Sequence, residues 1–321
     1  MDIKRLIWHG SIPLKITLSK TESRIWDQTT PYYIEIPRIS YLPVYLDLLI
    51  GFFRTFLLDE STASAGNAWF STAEDAIPVR WHLPIGLLHD LHRPPPPASS
   101  STTPQPWHLV LHFTNYPDIL ARRQCDWAMR DAYMNKLKEA DFLRCGSAKR
   151  VMSLSKHDSD ALWQSVVDHD LDTFTRITST LLPTTPRNLP IRIYLPTPAP
   201  APPSSPTTPT PSNPHPSSKP PTASVGPPLN TVHQPLTPLS QSQTLNDLLS
   251  SHFPALFPDP AKSKSTLQRQ RERERSNGKV LGRAMIHGVK IPGEMPLVEV
   301  VREMAGADGW VDIVVVVVVM T

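Results

Sequence analysis

The sequence predicts an α+β chain in which two small mixed sheets, each wrapped over a helix, flank a helix-rich segment, with a disordered proline-rich insertion in the second sheet region. Three observations carry this reading. Alternating apolar runs gather at both ends of the chain, helical spacing replaces them from Ile119 to about Leu182, and 16 of the 37 prolines crowd between Pro196 and Pro238. That proline tract is filled out with Ser, Thr and Ala, has little to bury, and belongs to no core. The strongly apolar stretch Ile313 to Met320 falls well short of the roughly 20 residues a spanning helix needs, and its valines favour a buried strand.

Residues 1–10 are assigned to an N-terminal helix; they start with charge but lack the longer apolar core and small-residue cleavage site of a secretory signal. Residues 11–117 form the first sheet unit. Ile12 to Leu18 and Tyr33 to Ile36 alternate as half-buried strands. Tyr41 to Leu58 reads as one amphipathic helix through Leu42, Tyr45, Leu46, Leu49, Phe52, Phe53 and Phe56, with Gly51 its weak point. Trp69-Phe70, Ile77 to Trp81 and Trp107 to Phe113 supply further strands. The resulting order, β-β-α-β-β, is that of a ubiquitin-like (β-grasp) roll.

Residues 118–184 are helix-rich, with Trp127, Met134 and Leu137 and then Ala161, Leu162, Val166, Leu171, Phe174, Ile177 and Leu181 at helical spacing, and Ser153 or Ser155 offers a cap. Residues 185–321 repeat the roll. Pro190 to Leu195, Val280 to Val289 and Val311 to Met320 read as strands, Thr244 opens a capped helix, and Pro296 to Met304 gives a short one. The disordered Pro/Ser/Thr-rich insertion, 196–235, interrupts this domain. Leu195 and the stretch from Val232 to Leu239 are expected to be two arms of one hairpin, with the tract as an expanded turn whose closure cost grows slowly with length. A basic loop follows at 260–279.

Two cysteines, Cys125 and Cys145, are too few for a disulfide framework or a CxxC zinc site and place the chain in a reducing compartment, the cytoplasm. A net charge of +3 does not by itself argue for nucleic acid. Lys262 to Lys279 carries seven basic and two acidic residues but no aromatic side chain for base stacking, so it reads as a solvated helix. His82, His89, Asp90 and His92 lie close in sequence without putting three ligands on one face, so no metal is expected, and no cofactor is implied. Cys145 has no evident base partner, and GxSxG, Walker A and GxGxxG patterns are absent. An enzyme with its own nucleophile is not expected.

Five separated strings carry a specific resemblance: Pro31 to Leu42 (PYYIEIPRISYL), Trp81 to Asp90 (WHLPIGLLHD), Leu137 to Asp141 (LKEAD), Thr244 to Leu249 (TLNDLL) and Met285 to Gly288 (MIHG). In order and spacing the chain resembles the autophagy protein 5 family, filamentous-fungal type. His89 stands where that family generally has an aromatic residue, and the Val314 to Val319 run is more uniform than its last strand. The resemblance implies two ubiquitin-like domains flanking a helix-rich one. It also implies a non-enzymatic scaffold joined covalently through a lysine to the ubiquitin-like modifier autophagy protein 12, with E1-like and E2-like enzymes making the bond. The conjugate is implied to bind autophagy protein 16, itself a coiled-coil dimer. It is further implied to act with the E2-like enzyme of the autophagy protein 8 system, promoting transfer of that protein to phosphatidylethanolamine. The implied location is peripheral, on the preautophagosomal structure or isolation membrane.

On residues, the resemblance gives Lys138, within LKEAD, as the isopeptide acceptor; by type alone it is one of 12 lysines and an ordinary solvated charge. Lys136 points to another helix face and is the competing acceptor. Gly86 has two readings of one cause, the missing Cβ: a turn or close backbone approach within the first domain, or part of the groove for autophagy protein 16. Lys149 and Arg150, read as loop residues, match a basic position offered towards membrane, where each cation contributes about 1 kcal/mol. The rival class is an unconjugated lipid- or partner-binding adaptor that uses the basic and proline-rich tracts.

Overall fold

The structure, a computed structural model, describes residues 3–25, 30–93, 105–123, 127–182, 186–195, 231–235, 237–238, 243–258 and 280–319. The proline-rich stretch 196–230, the basic segment 260–279 and Cys125 lie outside them.

After a helix at Ile3–His9 (α1), strands Ser11–Leu18 (β1), Tyr32–Pro37 (β2), Trp69–Thr72 (β3) and Trp107–His112 (β4) form one sheet in the order β2-β1-β4-β3. Its centre is a parallel pair, Leu14 opposite Trp107, and β2 runs antiparallel on the outside, Ile12 opposite Ile36. Alternation sends Ile12, Leu14 and Ile16 of β1 and Trp107, Leu109 and Leu111 of β4 to one face. There they meet Leu46, Leu49 and Phe53 of a helix at Leu46–Phe53 (α2), which is how a two-residue period in strands and a 3.6-residue period in a helix build one core.

The expected single helix over Tyr41 to Leu58 is shorter. It breaks into a 3-10 turn at Leu42–Tyr45, then α2, then a 3-10 turn at Arg54–Phe56. Pro43 has no amide to donate in the first turn. At the far end Leu57 turns extended, and the Leu58 amide donates to the Glu22 carbonyl at 2.8 Å. The expected strand at Ile77 to Trp81 is also absent apart from one bridge, Ser71 with Pro78. Ala76 has a φ of +53°, so the chain reverses there, and proline cannot extend a ladder. An unforeseen helix follows at Ile85–His92 (α3).

The middle of the chain is helical: Ala128–Cys145 (α4), Lys149–Met152 (α5), Lys156–Val167 (α6) and Leu171–Leu181 (α7). Gly146, at φ +74°, ends α4 in the left-handed conformation that glycine adopts without strain. Ser155 caps α6, its hydroxyl accepting from the Asp158 amide at 3.0 Å, and Asp170 caps α7.

The second roll comprises Asn188–Leu189 (β5), Ile191–Leu195 (β6), Thr231–His233 (β7), Thr237–Pro238 (β8), a helix at Leu245–His252 (α8), Val280–Ile286 (β9), Val289–Lys290 (β10), a helix at Leu297–Met304 (α9) and Val311–Val319 (β11). Its sheet order is β10-β9-β11-β6-β7, again with a parallel centre, Ile191 opposite Val311. Leu195 pairs with Thr231, so the expected hairpin forms over Thr231–His233, whereas Thr237–Pro238, expected in the same arm, pairs with β5 instead. The expected strand Val280 to Val289 is two strands, because His287 (φ +51°) and Gly288 (φ +79°) make a tight turn between them. Thr244 opens α8 with a reciprocal capping box to Asp247.

The three units share side chains. Tyr194 and Val314 of the second sheet pack into the core of the first, while Trp8, Ile39, Tyr41 and Trp81 of the first roll and Ala307 of the second join the core of the helical unit.

Candidate functional site

Helix α4 lies where the units meet, and its two lysines of interest differ completely. Two residues are about 200° apart around a helix, so Lys136 and Lys138 cannot share a face. Lys136 is buried. Its Nζ donates to the His82 carbonyl of the first roll at 2.5 Å and lies 3.8 Å from Asp308 Oδ2 of the second. Its own carbonyl accepts from the Trp310 indole at 3.0 Å. Burial pushes the Lys136 pKa down while Asp308 and Asp312 oppose the shift. The competing acceptor of the sequence reading is thus a structural lysine, with its nitrogen enclosed between domains. Lys138 is half-buried, and its amine has no hydrogen bond or ion pair among the described residues. One turn on, Phe142 is exposed on the same side.

The rest of the LKEAD string anchors this presentation. Leu137 and Ala140 are buried, Glu139 accepts from Arg192 at 2.9 Å, and buried Asp141 accepts from the Val151 amide at 3.3 Å. Asp141 also accepts from the Cys145 thiol at 3.3 Å. Cys145 therefore has a carboxylate partner that the sequence did not reveal. Desolvation and Asp141 both raise its pKa, which keeps it a thiol and a poor nucleophile.

Gly86 sits in the first turn of α3, so it belongs to a helix rather than a turn, and the close approach expected there is present. A Cβ would lie 2.8 Å from both Cβ and O of Arg38. The Gly86 amide donates to the Arg38 carbonyl at 2.8 Å, and Arg38 Nη2 donates to Gly86 O at 3.2 Å and Asp90 Oδ2 at 2.5 Å. Its neighbours Pro84 and Leu87 line a cavity of about 20 Å³ together with Ile39, Gly306 and Ala307. Those last three also line a larger apolar groove of about 290 Å³ between α1, α7 and α9, walled by Ile7, Trp8, Phe174, Leu181 and Val301. All three units contribute to it.

Lys149 and Arg150 open α5 and are not loop residues. Both are exposed; Arg150 donates to the Leu181 carbonyl at 3.3 Å, which holds it beside the end of α7. The histidines do not gather. The His82 and His92 pKa values are both pushed down to about 4, chiefly by burial, and Asp90 serves Arg38; among the described residues no His, Cys, Asp and Glu cluster could hold a metal.

The sequence reading missed Asp308, Trp310 and Asp312 and their partners Arg192 and Tyr194. A signal existed: Asp308 stands just before an otherwise apolar strand and Asp312 within it, where a polar side chain requires a buried partner.

Paired ubiquitin-like rolls bound through a helical unit, with an available lysine on one side and an apolar groove on another, define a scaffold class. Residues 7–113 match the UblA domain of autophagy protein ATG5, 127–184 its alpha-helical bundle region and 188–315 its UblB domain. Autophagy protein 5 of Aspergillus oryzae is 41% identical over 98% of this chain and 96% of its own length. The Aspergillus clavatus protein is 42% identical with the same coverage, and that of Emericella nidulans 39% over 98% and 97%. The crystal structure of Kluyveromyces marxianus Atg5 shares the fold, with a TM-score of 0.69 at 21% identity over 97% of this chain and 98% of that one. The chain belongs to the autophagy protein 5 family, a family of autophagy scaffolds.

Proposed function

We propose that this chain is the acceptor for autophagy protein 12, joined through Lys138, and that the conjugate binds autophagy protein 16 and promotes E3-like lipidation of autophagy protein 8. The carrying observation is the contrast on α4: Lys136 is locked between domains, while Lys138 has an amine without a competing partner. In the reaction the neutral Lys138 Nζ attacks the thioester carbonyl of the modifier's C-terminal glycine. The C–S bond breaks, the thiolate of the E2-like enzyme leaves, and the amine gives up a proton as the amide forms. The helix limits the positions the nucleophile must sample.

The groove between α1, α7 and α9 suits the apolar face of a helix, and autophagy protein 16 is its proposed occupant. Gly86 is proposed to act on it indirectly, by letting α3 close on Arg38 and Ile39. Lys149 and Arg150 would add about 1 kcal/mol each towards an anionic bilayer, enough to orient the conjugate and not to anchor it. Location follows: cytoplasmic, with peripheral attachment at the isolation membrane. The adaptor reading rests on tracts outside the described residues.

Replacing the acceptor tests this. Lys138→Arg keeps the charge but stays protonated, so the covalent, reductant-resistant shift seen with an antibody to the modifier is expected to vanish while the circular dichroism spectrum is unchanged. A shifted band that persists in Lys138→Arg overturns the assignment.

A further inference from the structure

Where the second roll meets α4, several opposite charges meet, and two carboxylate oxygens there, one of Asp308 and one of Asp312, are left without a hydrogen-bond partner. Lys136 faces Asp308 at 3.8 Å, Arg192 donates to Glu139 at 2.9 Å while stacking on Trp310 at 3.6 Å, and Arg38 is taken by Asp90 at 2.5 Å. Asp312 stands opposite Arg192 in the β6–β11 register, but that guanidinium bonds Glu139, and among the described residues no cation forms a salt bridge to Asp312. It is the sole acidic residue of β11, half-buried between fully buried Val311 and Ile313 and near the buried Tyr194 of the adjacent β6. Its Oδ1 is shielded from solvent and unpartnered, as is Oδ2 of fully buried Asp308. Arg38, Asp90 and His287 line with it the cavity of about 20 Å³, room for a single water. His287 stays neutral, since burial lowers its pKa, and the buried Tyr41 and Tyr133 phenols nearby are raised by burial.

We propose that Asp312 is a proton switch for the seat of the second ubiquitin-like domain on α4: protonated, it leaves Asp308 as the one carboxylate with an unpartnered buried oxygen, and ionised, it sets a second such negative charge beside it. Burial first, and then Asp308, push its pKa up from the ordinary 3.8 to about 7, with Arg192 and Lys136 opposing. A carboxyl that binds its proton more tightly when enclosed than when exposed favours the closed junction at low pH. That contribution is lost as pH rises from about 4 to about 7. This switch is independent of conjugation at Lys138.

The Trp310 indole N–H, which donates to the Lys136 carbonyl, reports directly on this seat, because it exchanges with solvent when the domain lifts from α4. Its exchange rate is measured by NMR in the full chain from pH 5 to pH 8, in the natural sequence and in Asp312→Asn, which mimics the protonated form. The ratio of the two rates cancels intrinsic pH dependence and the other titrating groups. It is expected to rise by up to about tenfold per pH unit between about pH 5 and pH 7 and then level off. A ratio independent of pH overturns the proposal. Should Asp312→Asn fail to fold, the carboxyl ¹³C titration of Asp312 in the natural chain decides: a midpoint near neutrality upholds the switch, and one below about 5 overturns it.

Discussion

The two sides of α4 belong to one helix, yet one is a joint and the other an open surface. The inward side places Tyr133, Lys136, Leu137, Ala140 and Arg144 against both rolls; Tyr133 donates to the Ala307 carbonyl at 3.1 Å, and Arg144 donates to the Gly309 carbonyl. The outward side places Lys138 and Phe142 where no described residue covers them fully. What separates the two lysines is therefore neither residue type nor helix propensity but what the other two domains bring up to the helix. A lysine whose amine is held by a carbonyl of one domain and faces a carboxylate of another works as a fastener, and one without such partners stays accessible.

The largest effect is expected from breaking the fastener. Lys136→Met leaves Asp308 buried without its cation and should lower stability by about 3 kcal/mol in denaturant unfolding. The molecules that remain folded should still be conjugated at Lys138, and loss of the shifted band from folded protein would contradict the division of labour between the lysines. A smaller loss is expected at the neighbouring joint. Gly86→Ala places a methyl group 2.8 Å from the Arg38 backbone and should cost about 1 to 3 kcal/mol, seen as a lower thermal midpoint and weaker capture of a helical autophagy protein 16 peptide. An unchanged midpoint with weaker capture would mean that α3 touches the partner directly. The smallest effect belongs to the outward side: Phe142→Ser should change stability by less than about 0.5 kcal/mol. A larger loss would show that this surface is packed after all.

The rolls were legible because their strands alternate: β1 and β4 each send every second residue inward. Helix α3 was not, because Ile85, Gly86, Leu87 and Leu88 are all buried, so no polar stripe marks a period, and Pro84-Ile85-Gly86 looks like a turn. The broken helix after Tyr41 shows the opposite failure. Its apolar spacing runs on beyond α2, but Pro43 and the pull of Glu22 on Leu58 set its ends. The proposal of Lys138 came only from a local motif. Lys136 was misjudged because its partners stand far along the chain, Trp310 at a separation of 174 residues. No helical wheel carries that information, although Asp308 and Asp312 beside an apolar run were a visible hint.

One feature of the second sheet reaches beyond this family's chemistry. Leu195 and Thr231 are cross-strand partners, so everything between them leaves and rejoins the fold at one point, with its ends about 5 Å apart. Such a doorway separates length from shape: the chain can gain or lose sequence there without β6 and β7 changing their distance. A fluorescent reporter whose own termini lie side by side could be seated in it, away from Lys138 on α4, and would give a labelled scaffold with both ends of the chain left free.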